Sequence, residues 1–343
     1  MKQFFLIISI IFLALFSALA QAPDDYSFKQ SFKISTPADL AIRTSDGFIN
    51  AYASNDEDEI KVFFIVKRNS KVQDMDLDEL RDHLDVEISN TSNSLQIIIK
   101  QQGSDWLMSW RDRYHVSFYI LAPKRTECTL KTSDGNIKLE GFAGDQVCST
   151  SDGNIAAESI DGSLDARTSD GNIDVFNVDG DTGLRTSDGN IVAENIRGNC
   201  EFKTSDGRIS VSSITGDVHA VTSDGNISML QARGVHSART SDGNINFEEL
   251  SGGLEAQTSD GDIRGEFEKL SGRVALKTSD GNISVTVPDG IGLDILLKGE
   301  DIHTRLEDFS GDTDEHRIEG RIRGGGIDIE LVTSDGDVNL NYQ

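Results

Sequence analysis

The tetrapeptide Thr-Ser-Asp-Gly occurs eleven times in this chain, with its aspartate at positions 46, 134, 152, 170, 188, 206, 224, 242, 260, 280 and 335. From Asp134 to Asp260 the interval is always 18 residues. A fixed period of this length marks a repeat architecture in which each unit is too small to bury an apolar face alone and must stack on its neighbours. Aligned on the aspartate, the third position after it reads Ile137, Ile155, Ile173, Ile191, Ile209, Ile227, Ile245, Ile263 and Ile283. Two residues further stand Leu139, Ala157, Val175, Ala193, Val211, Met229 and Phe247, with polar residues such as Lys138, Asp174 and Ser210 between the two columns. Period-two alternation of this kind specifies strands. A third apolar column (Phe142, Ile160, Val178, Ile196, Ile214) precedes a glycine column (Gly144, Gly162, Gly180, Gly198, Gly216, Gly234, Gly252) that marks a second turn. The return strand places Leu130, Cys148, Ala166, Leu184, Phe202 and Ala220 inward, with Lys131, Arg167, Arg185, Lys203 and Arg239 beside them facing out.

One coil is therefore strand, glycine turn, strand, Asp-Gly turn. The expected fold is all-β: a single-stranded parallel β-solenoid, of β-helix or β-roll type, built from 18-residue coils. At about 4.8 Å per coil the regular stretch would form a rod on the order of 40 Å long. With 7% aromatics and 32 glycines, many thin layers suit this chain better than one thick core.

Four regions follow. Residues 1–22 read as a secretory signal peptide: Lys2, an apolar run from Phe4 to Phe16, and small residues ending Ala18-Leu19-Ala20. No cysteine stands at the cleavage site, which disfavours a lipoprotein, and no later run approaches the roughly 20 apolar residues of a membrane helix. Membrane contact is thus expected only through the signal before cleavage. Residues 23–126 form a β-rich cap holding one early coil (Leu40, Ile42, Thr44, Asp46, Ile49), strands near 60–66, 86–89, 95–99 and 116–121, and a short helix at 76–84. Residues 127–287 are the regular solenoid. Residues 288–343 are a capping insertion followed by a last coil around Asp335, expected to close the far end of the rod.

Net charge is −26, one unit more negative without Lys2. That balance excludes nucleic acid as a partner and favours solubility and metal cations. An exported chain of this kind belongs to the periplasm, the outer surface or the medium.

The chain resembles the bacterial putative-adhesin family of β-strand-repeat proteins, a domain of unknown function. The resemblance rests on Leu40-x-Ile42 with Gly47-x-Ile49, the strand Val116 to Pro123 leading into Cys128-x-Leu130-x-Thr132, the repeated Gly-Asn-Ile core, and the ending Gly326 to Val338. It implies architecture and surface binding to a glycan or protein ligand, and carries no site residues.

The turn ladder Asp134, Asp152, Asp170, Asp188, Asp206, Asp224, Asp242, Asp260 and Asp280 is the first candidate site. Stacked carboxylates about 5 Å apart repel by roughly 1 to 3 kcal/mol per pair, so something must offset them. In the structural reading each Asp caps its own turn, the following Asn tolerates left-handed geometry, and the outward Lys/Arg column neutralises the row. The alternative is calcium, as in nonapeptide β-rolls with 18-residue coils, although those carry Gly-Gly-x-Gly-x-Asp and this repeat has one glycine. No resident cofactor or metal site is expected otherwise.

The threonine column shares the inward parity, which excludes an exposed ice-binding ladder. Cys128, Cys148 and Cys200 are odd in number and out of register, so free buried thiols are expected. Trp106, Trp110, Arg111 and Tyr114 form the second candidate, an aromatic cluster read first as packing of the cap and second as a patch for sugar or peptide contact. No unique carboxylate and arginine constellation breaks the repeat, and no histidine pair has metal spacing, so the chain is read as a non-enzyme. A carbohydrate-active β-helix ranks last.

Overall fold

The computed structural model describes residues 23–101 and 113–343. Residues 1–22, read above as a signal peptide, and Trp106, Trp110 and Arg111 lie outside the described residues. Within them the chain is all-β, in one long sheet wound on itself, with a single short helix, Leu77–Arg81. That helix starts where the acidic run allows: Asp76 caps the amides of Asp78 and Glu79, and Glu79 bonds back to the Asp76 amide. No helix among the described residues is long and apolar enough to cross a membrane.

The apolar columns predicted from the period are the core. Ile137, Ile155, Ile173, Ile191, Ile209, Ile227, Ile245, Ile263 and Ile283 are all at most 1% exposed. Each pairs in register with the next, as in Ile155 with Ile173 and Ile173 with Ile191. Parallel in-register pairing puts identical side chains in contact along the rod axis, so each isoleucine packs against the same shape above and below. Strand Ile155–Asp161 shows how the coil closes. Ala157 and Ile160 both point inward although three residues apart, because Ser159 between them has φ of +58°. The equivalent Asn177, Asn195, Ser213, Gln231 and Glu249 have φ between +52° and +56°. A left-handed residue in each of these coils bends the chain and shifts the parity, which is the physical meaning of the three-residue gap in the repeat.

Both ends depart from a purely parallel solenoid. At the N-terminal end Phe28–Lys33 pairs antiparallel with Glu59–Arg68, which pairs antiparallel with Tyr114–Pro123, while Leu84–Asn90 pairs antiparallel with Ser94–Gln101. Tyr114–Pro123 and Ser94–Gln101 then lie parallel on the early coil, Ile49–Ser54 and Ala38–Arg43. The early coil is therefore the second layer.

The C-terminal end corrects an expectation. The last coil does not close the rod: Ile327–Val332 and Val338–Tyr342 stack on Ile263–Lys277 and Ile283–Val287, and are covered in turn by Leu293–Lys298 and Ile302–Thr304 from the insertion. An antiparallel hairpin, Phe309–Asp314 with Arg317–Ile322, extends the outer layer. The reason is chemical. Thr333 donates to the carbonyls of Ser279 at 3.2 Å and Gly281 at 2.9 Å, a pair of acceptors that only another Thr-Ser-Asp-Gly turn presents in this arrangement. The insertion lacks that tetrapeptide and takes the outside.

All three cysteines are free and buried, with Cys128 opposite Gln146 and Cys148 opposite Leu130 in the adjacent coil. Burial pushes the Cys148 and Cys200 thiols up to about 12, and Cys128 higher than its ordinary value as well. Thiolate is the reactive form. The native protein should accordingly fail to react with a thiol reagent such as DTNB at pH 8 and release three equivalents after denaturation; labelling of the folded rod would contradict this placement.

Candidate functional site

The Asp-Gly edge of the rod is built by four residues with four different tasks. Thr204 is 2% exposed; its Oγ1 donates to the carbonyls of Ser187 at 2.9 Å and Gly189 at 3.0 Å, and accepts the Gly207 amide at 3.2 Å. The Ser187 carbonyl also receives the amides of Ser205 at 2.8 Å and Asp206 at 3.0 Å. Gly207 has no room for a side chain, since a Cβ there would stand 1.8 Å from the Gly189 carbonyl oxygen. The same pattern repeats from Thr132 to Thr333.

The aspartate is the exception. Asp134, Asp152, Asp170, Asp188, Asp206, Asp224, Asp242, Asp260, Asp280 and Asp335 are exposed, and their carboxylates make no hydrogen bond or ion pair among the described residues. Asp46, half-buried at the N-terminal end, has His115 Nδ1 at 3.7 Å. The expected self-capping is thus replaced by the threonine hydroxyl, which is shorter, sits inside the turn and reaches the Gly amide directly.

Two further expectations are corrected here. The Lys/Arg column does not neutralise the ladder: Arg185 pairs with Glu201 at 2.7 Å, Arg239 with Glu255 at 3.0 Å and Arg167 with Asp165 at 2.6 Å. Those partners face outward on the same or the adjacent return strand, so they are nearer than the turn. The asparagine after each glycine is not left-handed. Instead its side-chain oxygen accepts the backbone amide of the next coil, as Asn136 does for Asn154, Asn154 for Asn172 and Asn190 for Arg208, at 2.8 to 2.9 Å.

Nine residues on, a second ladder does the same work. Asp181 accepts the Asn199 amide at 2.8 Å, Asn199 that of Asp217 at 3.2 Å, and Asp217 that of Val235 at 2.8 Å. Sequence reading missed this row, and its signal was the Gly-Asp or Gly-Asn pair at Gly144-Asp145, Gly180-Asp181, Gly198-Asn199 and Gly216-Asp217, each nine residues after a turn glycine of the main motif. Carboxylates of the second turn are therefore structural acceptors, whereas those of the first point to solvent without a partner.

Among the described residues no three His, Cys, Asp or Glu side chains converge on one point. The ladder offers one carboxylate per coil, against the six to eight oxygens calcium takes. A cation there would rest on carboxylates of successive coils and on water.

Of the aromatic candidates, Tyr114 is described. Its ring stacks on His83 at 4.6 Å and lies under the Arg68 guanidinium at 5.2 Å, and its carbonyl accepts from Gln101. It packs the cap.

No curated protein matches the chain. Among solved structures it is similar to a putative adhesin from Bacteroides fragilis, at 16% identity over 75% of this chain and 96% of that one, with a TM-score of 0.41. A putative adhesin from Parabacteroides distasonis is similar at 16% identity over 76% and 97%, with a TM-score of 0.39. A putative lipid binding protein from the same species is similar at 16% identity over 91% and 96%, with a TM-score of 0.32. The profile of the Toastrack DUF4097 family matches residues 38–238 and 236–341, the early coil and the repeat in one match and the final coils in the other. The chain belongs to the Toastrack DUF4097 family.

Proposed function

We propose that the mature chain is a non-catalytic, exported scaffold of the bacterial cell envelope, an acidic rod of 18-residue coils that adheres through its repetitive surface. The observation that carries this reading is the row of exposed, unpaired carboxylates, one per coil, on a stack whose turn threonines and asparagines are tied to neighbouring coils. A regularly spaced row on a stiff support engages an extended partner, glycan or protein, at many points, and many weak contacts sum to strong attachment. The test is retention of fractionated envelope by the immobilised protein, wild type against a variant with Asp152, Asp170, Asp188, Asp206 and Asp224 changed to Asn. Retention by the wild type, lost in a variant of unchanged circular dichroism, supports the proposal; equal retention by both sinks it.

A calcium-loaded roll is the second reading, favoured by the same unpaired row. The turn hydrogen bonds close within the protein, so we expect a β-rich spectrum and an unchanged melting temperature in excess EDTA and in millimolar calcium. Disorder in EDTA that calcium reverses would make the Asp-Gly turns metal sites instead.

A further inference from the structure

Of the chain's six histidines, five are exposed or half-buried and one, His236, is 1% exposed. It occupies the inward position of the return strand, stacked between Val218 of the preceding coil and Leu254 of the following one. Neither ring nitrogen makes a hydrogen bond among the described residues, while the backbones of Ala232 and Ser251 lie close enough to favour the charged ring. An unpaired buried imidazole is already costly, and a buried imidazolium more so. Burial lowers the ring's pKa, with the Ala232 backbone, nearby Asp217 and the Ser251 backbone acting against the shift.

The surroundings supply a way out. His236 borders a shallow groove on the return face, lined also by Asp217, His219 and Val235. Val235 is 67% exposed, and its amide is held by the Asp217 carboxylate at 2.8 Å. The other charged groups flanking the site are Arg233 and Arg239 on its own coil, both beside glutamates, and Glu255 on the next. Asp217 is the carboxylate next to the ring in the second turn.

We propose that His236 is an acid-sensitive joint in the rod: on protonation the ring leaves the core through this groove toward Asp217, and the second turn of the Ile227–Arg239 coil opens. The partner in the switch is the proton alone, and the consequence is a local parting of adjacent coils in an otherwise continuous stack. Because the folded value lies below 6.5, the unfolded or opened state binds more protons, so the closed state weakens as pH falls from 6.5 toward the folded value. His316, raised by its bond to the Glu300 carbonyl, runs in the opposite direction and sits in the insertion.

Hydrogen exchange of the mature protein at pH 7.5 and 5.0, corrected for intrinsic rates, tests this. Protection over residues 232–239 should fall on the order of tenfold at pH 5.0 while the coils around Asp152 and Asp170 keep theirs, and His236→Leu should abolish the fall. Equal loss along the rod, no loss, or the same local loss in the Leu variant would overturn the proposal. If that variant does not fold, the wild-type profile decides alone.

Discussion

Gly189→Ala should destabilise the rod by about 3 kcal/mol or more, the scale of overpacking at a site that cannot relax. The added methyl would stand 1.8 Å from the Gly171 carbonyl oxygen and 2.5 Å from its carbon. Both are backbone atoms of the coil below, fixed by the Ser187-to-Ser169 bond at 2.8 Å and the Thr186 hydroxyl bonds. The methyl fits only if the coils part, and parting them breaks those bonds together. Gly189 has no left-handed backbone, so conformational freedom is not the reason for glycine; proximity is. Gly183→Ala is the control. It lies on an outward position with nothing within 4 Å of a Cβ, so it should be neutral or stabilising by up to about 1 kcal/mol, because glycine is a poor strand residue. Urea midpoints of the two variants against wild type give the comparison. If Gly189→Ala unfolds with the wild type, close stacking is not what the turn glycine provides.

Thr204→Val should cost about 2 to 3 kcal/mol despite equal shape, because the hydroxyl serves three backbone groups in a dry turn. Valine leaves the Gly207 amide without its acceptor and weakens the Ser187 and Gly189 carbonyls, and a buried polar group left unmatched costs about 1–3 kcal/mol. Thr204→Ser keeps the hydroxyl and loses one methyl, on the order of 0.8 kcal/mol. Asp206→Asn should change stability by less than about 0.5 kcal/mol, since no hydrogen bond or ion pair is lost and one repulsive neighbour is removed. Thermal melts of the three variants separate the roles within one tetrapeptide. A Val variant melting with the wild type, or an Asn variant melting with the Val, would reverse the division of labour between Thr and Asp.

The strands and the core were legible because period and parity are local properties. Ile173 and Val175 flank Asp174, and any stacked strand must bury the first two and expose the third. Even the bent corner was written in the three-residue gap between Ala157 and Ile160, although its left-handed residue varies among Ser, Asn, Gln and Glu and bears no one signature. The cap helix was legible from Asp76 with Glu79 three residues on. The candidate site was half legible. The threonine hydroxyls pointed inward as parity required, but the aspartate, the most conspicuous residue of the motif, turned out to have no side-chain partner.

What escaped the sequence involves atoms 15 to 18 residues apart that meet only when coils are stacked. Asn190 accepts the amide of Arg208, and Thr204 reaches Ser187, through contacts that no composition or alternation encodes. The partners of Arg185 and Arg239 were likewise a matter of reach across adjacent strands. The order of the outer layers shows the limit most plainly. The tetrapeptide at Asp335 announced one more coil, yet its place inside the rod, beneath an insertion that precedes it in the chain, was set by which surface offers the Ser279 and Gly281 carbonyls. Periodicity along the chain thus determined what one coil is, since backbone alternation and side-chain polarity are local. The stack determined how coils are joined, ordered and ended, since hydrogen bonds and close approach between coils exist only once the layers are in place.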